Sequence, residues 1–68
     1  MDEERFNLSL RKILKQFGVT AQREIEKAVD AARSSGALAG RDALQARATM
    51  VVDGLPAEIV VEGRIELN

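Results

Sequence analysis

A chain of 68 residues with no cysteine and no histidine cannot be held by disulfides and lacks the usual ligands of zinc, copper and iron sites, so a small core has neither support. Ten basic against eleven acidic residues leave a net charge of -1, which argues against a general attraction to nucleic acid or anionic lipid. With Phe6 and Phe17 as the only aromatics, a surface for stacking bases has almost nothing to be built from, and no apolar run reaches the length of a signal sequence or a membrane span.

Phe6, Leu10, Ile13, Leu14 and Phe17 recur at i, i+4, i+7, i+8 and i+11, one face of a helix over about residues 3–17. Asp2, Glu3 and Glu4 suit the positive N-terminal end of that helix, and Arg11, Lys12 and Lys15 suit its later turns. Leu8 lies off the stripe, so either it widens the buried face or the first turn begins later with Asn7 as the cap. Gly18 then reads as a left-handed stop, with Val19 folding back on the last apolar turn. Thr20 is an N-cap for a second helix over about residues 21–35, although Glu24 stands one place beyond the capping-box position. Ala21, Ile25, Ala28, Val29 and Ala32 repeat the spacing of the first helix, and Ser34-Ser35-Gly36 closes the run. The alanines of this stripe permit close approach to another backbone. Residues 37–43 read as a connector anchored by Leu38.

From Leu44 the period changes to two. Leu44, Ala46, Ala48, Met50 and Val52 alternate with Gln45, Arg47, Thr49, Val51 and Asp53 over a strand at about 44–53, and alternation resumes over about 57–67. Asp53-Gly54-Leu55-Pro56 between them is a hairpin signal. A four-residue loop sets Ala46 opposite Gly63, Ala48 opposite Val61, Met50 opposite Ile59 and Arg47 opposite Glu62, which matches the apolar faces. A two-residue turn matches them too but puts Pro56 in the ladder, where it has no N–H to donate. A competing reading makes Glu62-Gly63 a second tight turn. The expected architecture is a single α+β domain over residues 1–68, with two N-terminal helices packed on one face of a C-terminal antiparallel β-hairpin.

Two helices about a glycine turn followed by a hairpin is also the order of a winged helix-turn-helix. A reading helix needs cationic and amide donors on its exposed face, whereas Gln22, Arg23, Glu24, Glu26, Lys27, Asp30 and Arg33 form a balanced mixture. Core cover is therefore the preferred role of both helices. Arg5, Arg11, Lys12 and Lys15, joined by Arg23, form the candidate partner-binding basic face, with pairing to Glu3 and Glu4 as its plainer explanation. Glu58, Glu62 and Glu66 project from one face of the last strand, and Arg47 and Arg64 among them point to charge pairing rather than cation binding.

Catalysis is poorly provided for. There is no His or Cys to act as base or nucleophile, no serine in a nucleophile-elbow context, and no phosphate-binding glycine loop with its lysine. The expectation is a cytoplasmic non-enzyme without cofactor, metal, membrane anchor or small-molecule substrate, serving as a protein-interaction or regulatory module. A homodimer is one form of it, through the open sheet edges or through Val51 and Val60 on the outer face of the hairpin. The alternative is a weak nucleic-acid-binding protein using the basic face of the first helix.

Phe6-Asn7, Ser9, Arg11-Lys12, Leu14-Lys15, Gly18-Val19-Thr20, Gln22-Arg23-Glu24-Ile25-Glu26 and Ala28-Val29, together with the ending Glu62-Gly63 and Ile65-Glu66-Leu67, carry a resemblance over nearly the full length. The chain resembles a family of short uncharacterised bacterial proteins, mostly proteobacterial, known as a domain of unknown function. The resemblance implies a free-standing cytoplasmic protein of this size and supplies no activity, ligand or catalytic residue.

Overall fold

The structure, a computed structural model, describes residues 1–68 and divides into two compact units, Met1–Leu38 and Ala39–Asn68. The first unit is a single helix, α1, spanning Glu3–Ser35. At 1.5 Å per residue its 33 residues extend about 50 Å. Asp2 caps it in extended conformation: its carboxylate accepts from the Arg5 N–H at 3.0 Å, and Glu3 and Glu4 occupy the first turn. Gly36 ends it with φ +83, its N–H donating to Arg33 O at 3.1 Å while the Ala37 N–H donates to Ala32 O at 2.9 Å. This pair of bonds is a Schellman cap, and its left-handed residue is best served by glycine.

The two helices expected over 3–17 and 21–35 are therefore one. The outer ends and the Asp2 start agree with the sequence pattern, but Gly18 is not a stop, Thr20 is not a cap and Asn7 lies inside the helix. Positive φ occurs only at Gly36, Gly40 and Gly54. Phase explains the continuity. The second apolar set repeats the first after fifteen residues, a rotation of only about 60° on a helix of 3.6 residues per turn. Breaking at Gly18 would orphan four carbonyls and four N–H groups to avoid a mid-helix glycine that costs about 1 kcal/mol relative to alanine. The expected helix-turn-helix, and with it the two-helix cover of the hairpin, has no counterpart.

In the second unit, β1 (Ala43–Met50) pairs antiparallel with β2 (Ile59–Glu66) in a two-stranded sheet. The register is the one that matches apolar faces: Ala46 faces Gly63, Arg47 faces Glu62, Ala48 faces Val61 and Met50 faces Ile59. Gly63 lies within the strand, so the reading of Glu62-Gly63 as a turn is overturned. The strands are shorter than the alternation implied, because pairing stops at Met50 and Ile59. Beyond it the Leu55 N–H donates to Val52 O at 3.1 Å, with Gly54 at φ +91 in the position that a type II turn reserves for glycine. Such a turn opposes the right-handed twist of the strands and splays them, and Pro56 has no N–H with which to extend the ladder. At the other end the register runs one rung further, where Leu67 N–H donates to Asp42 O at 2.8 Å and Asn68 Nδ2 donates to Asp42 Oδ1 at 3.3 Å.

Sheet alternation separates the two faces of the hairpin. One carries Leu44, Ala46, Met50 and Ile65, all half-buried, with Ile59 and Val61 exposed beside them. The other carries an ion pair across the strands, Arg47 Nε to Glu62 Oε1 at 3.5 Å, and one along β2, Arg64 Nε to Glu66 Oε1 at 3.0 Å. No residue of either unit is buried. A lone helix draws little stability from propensity, and an isolated two-stranded hairpin is marginal in water.

Candidate interaction surface

The apolar stripe of α1 runs along one side of the helix from Phe6 to Ala32. Phe6, Ile13, Leu14 and Phe17 keep between 45% and 52% of their surface exposed, and Leu10 and Ile25 keep 39% and 43%. Half-buried Ala21, Val29 and Ala32 continue the same side toward Gly36. The stripe is formed by 3.6-residue periodicity alone, and continuity through Gly18 makes it one surface instead of two. Sequence reasoning took its C-terminal half for a separate helix. The step of four from Phe17 to Ala21, equal to the steps on either side of it, was the signal that the helix does not turn.

All five candidate cations, Arg5, Arg11, Lys12, Lys15 and Arg23, stand exposed on α1. At 100° per residue they fall within a sector about 120° wide on the side away from the apolar stripe. The helix brings them together more fully than two helices would, because Arg23 now continues the line of Arg5 and Lys12. No Asp or Glu lies between Arg5 and Arg23. Both ion pairs on the helix belong to its last four turns, Lys27 to Glu24 at 3.4 Å and Arg33 to Asp30 at 2.6 Å. Glu3 and Glu4 make no ion pair with the cluster, so the pairing expected of them does not form. Leu8 and Val19 lie in the same sector, 63% and 52% exposed.

The hairpin offers less. Glu62 and Glu66 each have a guanidinium partner, and no grouping of three or more His, Cys, Asp or Glu is placed to hold a metal ion. A hollow of about 330 Å³ at the open end is lined by Arg41, Asp42, Ala43, Leu44, Gln45 and Arg64. Asp42 within it is engaged in fastening Leu67 and Asn68, which is a structural role. Val60 lies in β2 opposite Thr49 and is half exposed, whereas Val51 lies past the end of β1 and is 70% exposed. No helix is long and apolar enough to cross a membrane.

No curated protein and no solved structure matches the chain. One family model does, over residues 1–68, its whole length. The full-length agreement extends across both the helix and the hairpin, and on it the chain belongs to the family of unknown function DUF6494.

Proposed function

We propose that this protein is a non-catalytic interaction module whose binding face is the apolar stripe of α1. One observation carries the reading: a 33-residue helix keeps Phe6, Leu10, Ile13, Leu14, Phe17 and Ile25 exposed along a single side. Such a stripe stabilises a helix only when something covers it, at roughly 25 cal/mol per Å² of apolar surface removed from water. A helix that lays its apolar side on a partner is a standard recognition mode, with anchors at i, i+3, i+4 and i+7. The lack of His and Cys supports a non-enzyme, since neither an imidazole base nor a thiolate nucleophile is available.

The test is to make the stripe polar with the double substitution Leu10→Ser and Phe17→Ser, and to follow helicity by circular dichroism alongside mass by light scattering. The helical signal should fall severalfold and any assembly should dissociate. A wild-type chain that is monomeric at all concentrations and keeps full helicity in both forms would overturn the reading.

A second reading is favoured by the run from Arg5 to Arg23 without a carboxylate: the outer face of α1 could track a nucleic-acid backbone. Its signature is an affinity that falls steeply with salt and weakens on Lys12→Glu with Lys15→Glu. Absence of binding to mixed-sequence DNA and RNA at low salt ends it.

A further inference from the structure

We infer that the partner covering the stripe is a second copy of the same helix, lying antiparallel about a two-fold axis at Val19; this rests on the interaction reading above. The spacing of the stripe carries the argument. From Phe6 the chain steps by four, three and four to Leu10, Ile13 and Phe17. One step of four leads to Ala21, and from there four, three and four lead to Ile25, Ala28 and Ala32. The sequence of steps reads the same in both directions, with Val19 at its centre. Two such helices laid antiparallel pair these eight positions with one another: Phe6 meets Ala32, Leu10 meets Ala28, Ile13 meets Ile25 and Phe17 meets Ala21, while Leu14 and Val29 at the edge of the stripe fall level with Glu24 and Ser9.

Side-chain size selects this direction over the parallel one. The N-terminal half of the stripe is bulky and the C-terminal half is mostly alanine, so three of the four antiparallel layers set large against small, and the fourth sets Ile13 against Ile25. Facing helices pack about 8–10 Å apart according to the residues at the contact. A parallel pair stacks Phe6 on Phe6 and Phe17 on Phe17 at one end and alanine on alanine at the other, where the helices cannot close to the same distance. Alternation of large and small across facing positions is what lets layers interdigitate.

Charge agrees. In the antiparallel register Glu3 and Glu4 of one copy lie level with Ser35 and Ser34 of the other, within one turn of its Arg33. The acidic first turn of each helix meets the last turn of the other, so opposite ends of the two macrodipoles are neighbours. A parallel pair would set the acidic first turns, Glu3 and Glu4, level with each other. Gly18 and the extra step of four fall at the centre. An insertion of four residues in a heptad pattern locally unwinds the supercoil, which lets two helices run nearly straight past each other there.

Position-dependent spin-label distances test the pairing on the whole chain, which has no native cysteine to interfere. Nitroxides are placed singly by Arg5→Cys, Lys12→Cys and Gln16→Cys, on the outer side of α1. With the axis at Val19 and 1.5 Å of rise per residue, the axial separations between two copies are about 42, 21 and 9 Å. The expected result is a pulsed dipolar distance that lengthens in the order Gln16, Lys12, Arg5. Equal distances at the three sites would show a parallel pair and overturn the inference. Absence of dipolar coupling at high protein concentration would overturn it as well. If the serine pair in the stripe still abolished helicity in that case, the interaction reading would stand with a different occupant.

Discussion

Replacing Ala21 by proline is expected to destabilise the protein by about 3 kcal/mol or more and to remove much of its helical signal, because position 21 is the interior of a helix. In α1 the N–H of residue 21 donates to the carbonyl of Phe17, and the proline ring would clash with that same carbonyl. Had Gly18 stopped one helix and Thr20 capped another, residue 21 would be the first helical position, where proline is favoured. Gly18→Ala separates the same alternatives with opposite sign. A Cβ added at Gly18 meets no atom within 4 Å, and the backbone there is not left-handed, so alanine should stabilise by about 1 kcal/mol. Both effects are read as shifts in urea midpoint at one fixed protein concentration, since any association would move the midpoint by itself. A tolerated Ala21→Pro with a destabilising Gly18→Ala would restore the two-helix arrangement.

The hairpin was legible in the sequence because strand register is a parity problem with one strong local marker. Asp53-Gly54 fixed the turn, the period of two fixed which residues share a face, and Pro56 ruled out the tighter loop; the observed pairs follow. The ends of the strands were not legible, since alternation continues through Val52 and Ala57 whether or not the backbones pair. The helix was misread at its centre for a different reason. Gly18-Val19-Thr20 has the local chemistry of a stop followed by a cap, yet the same chemistry is tolerated at moderate cost when the apolar phase carries on beyond it. The local signal at Gly18 is strong, whereas the phase that overrides it shows only in the Phe17 to Ala21 step.

That misreading also hid the site. Split at Gly18, the chain offers two short stripes that could cover a hairpin, and the five cations scatter over two elements. Joined, it has one stripe about 39 Å long from Phe6 to Ala32, with a cationic sector opposite, Arg5 through Arg23, in which no carboxylate intervenes. The five cations are visible in the sequence, but their common surface depends on the continuity of α1.

The sharpest consequence of an antiparallel pair is energetic coupling between two residues that never meet within one chain. Leu10 and Ala28 are eighteen positions apart on α1, about 27 Å along its axis, too far to couple directly. Across the proposed two-fold they share a layer, and the symmetry supplies that layer twice. Leu10→Ala should leave a void in both, and at about 2–5 kcal/mol for each buried leucine lost, the dissociation constant should rise by about three orders of magnitude or more. Ala28→Leu should overpack the same layers and cost about 1–3 kcal/mol. Made together, the two substitutions exchange the large and small members of the layer and conserve its volume, so most of the loss from Leu10→Ala should be regained. Sedimentation equilibrium on the four proteins of the cycle measures this. A recovery of affinity in the double variant requires residue 10 of one copy to lie against residue 28 of the other. A parallel pair aligns each position with itself, leaves 10 and 28 in separate layers, and requires the two penalties simply to add.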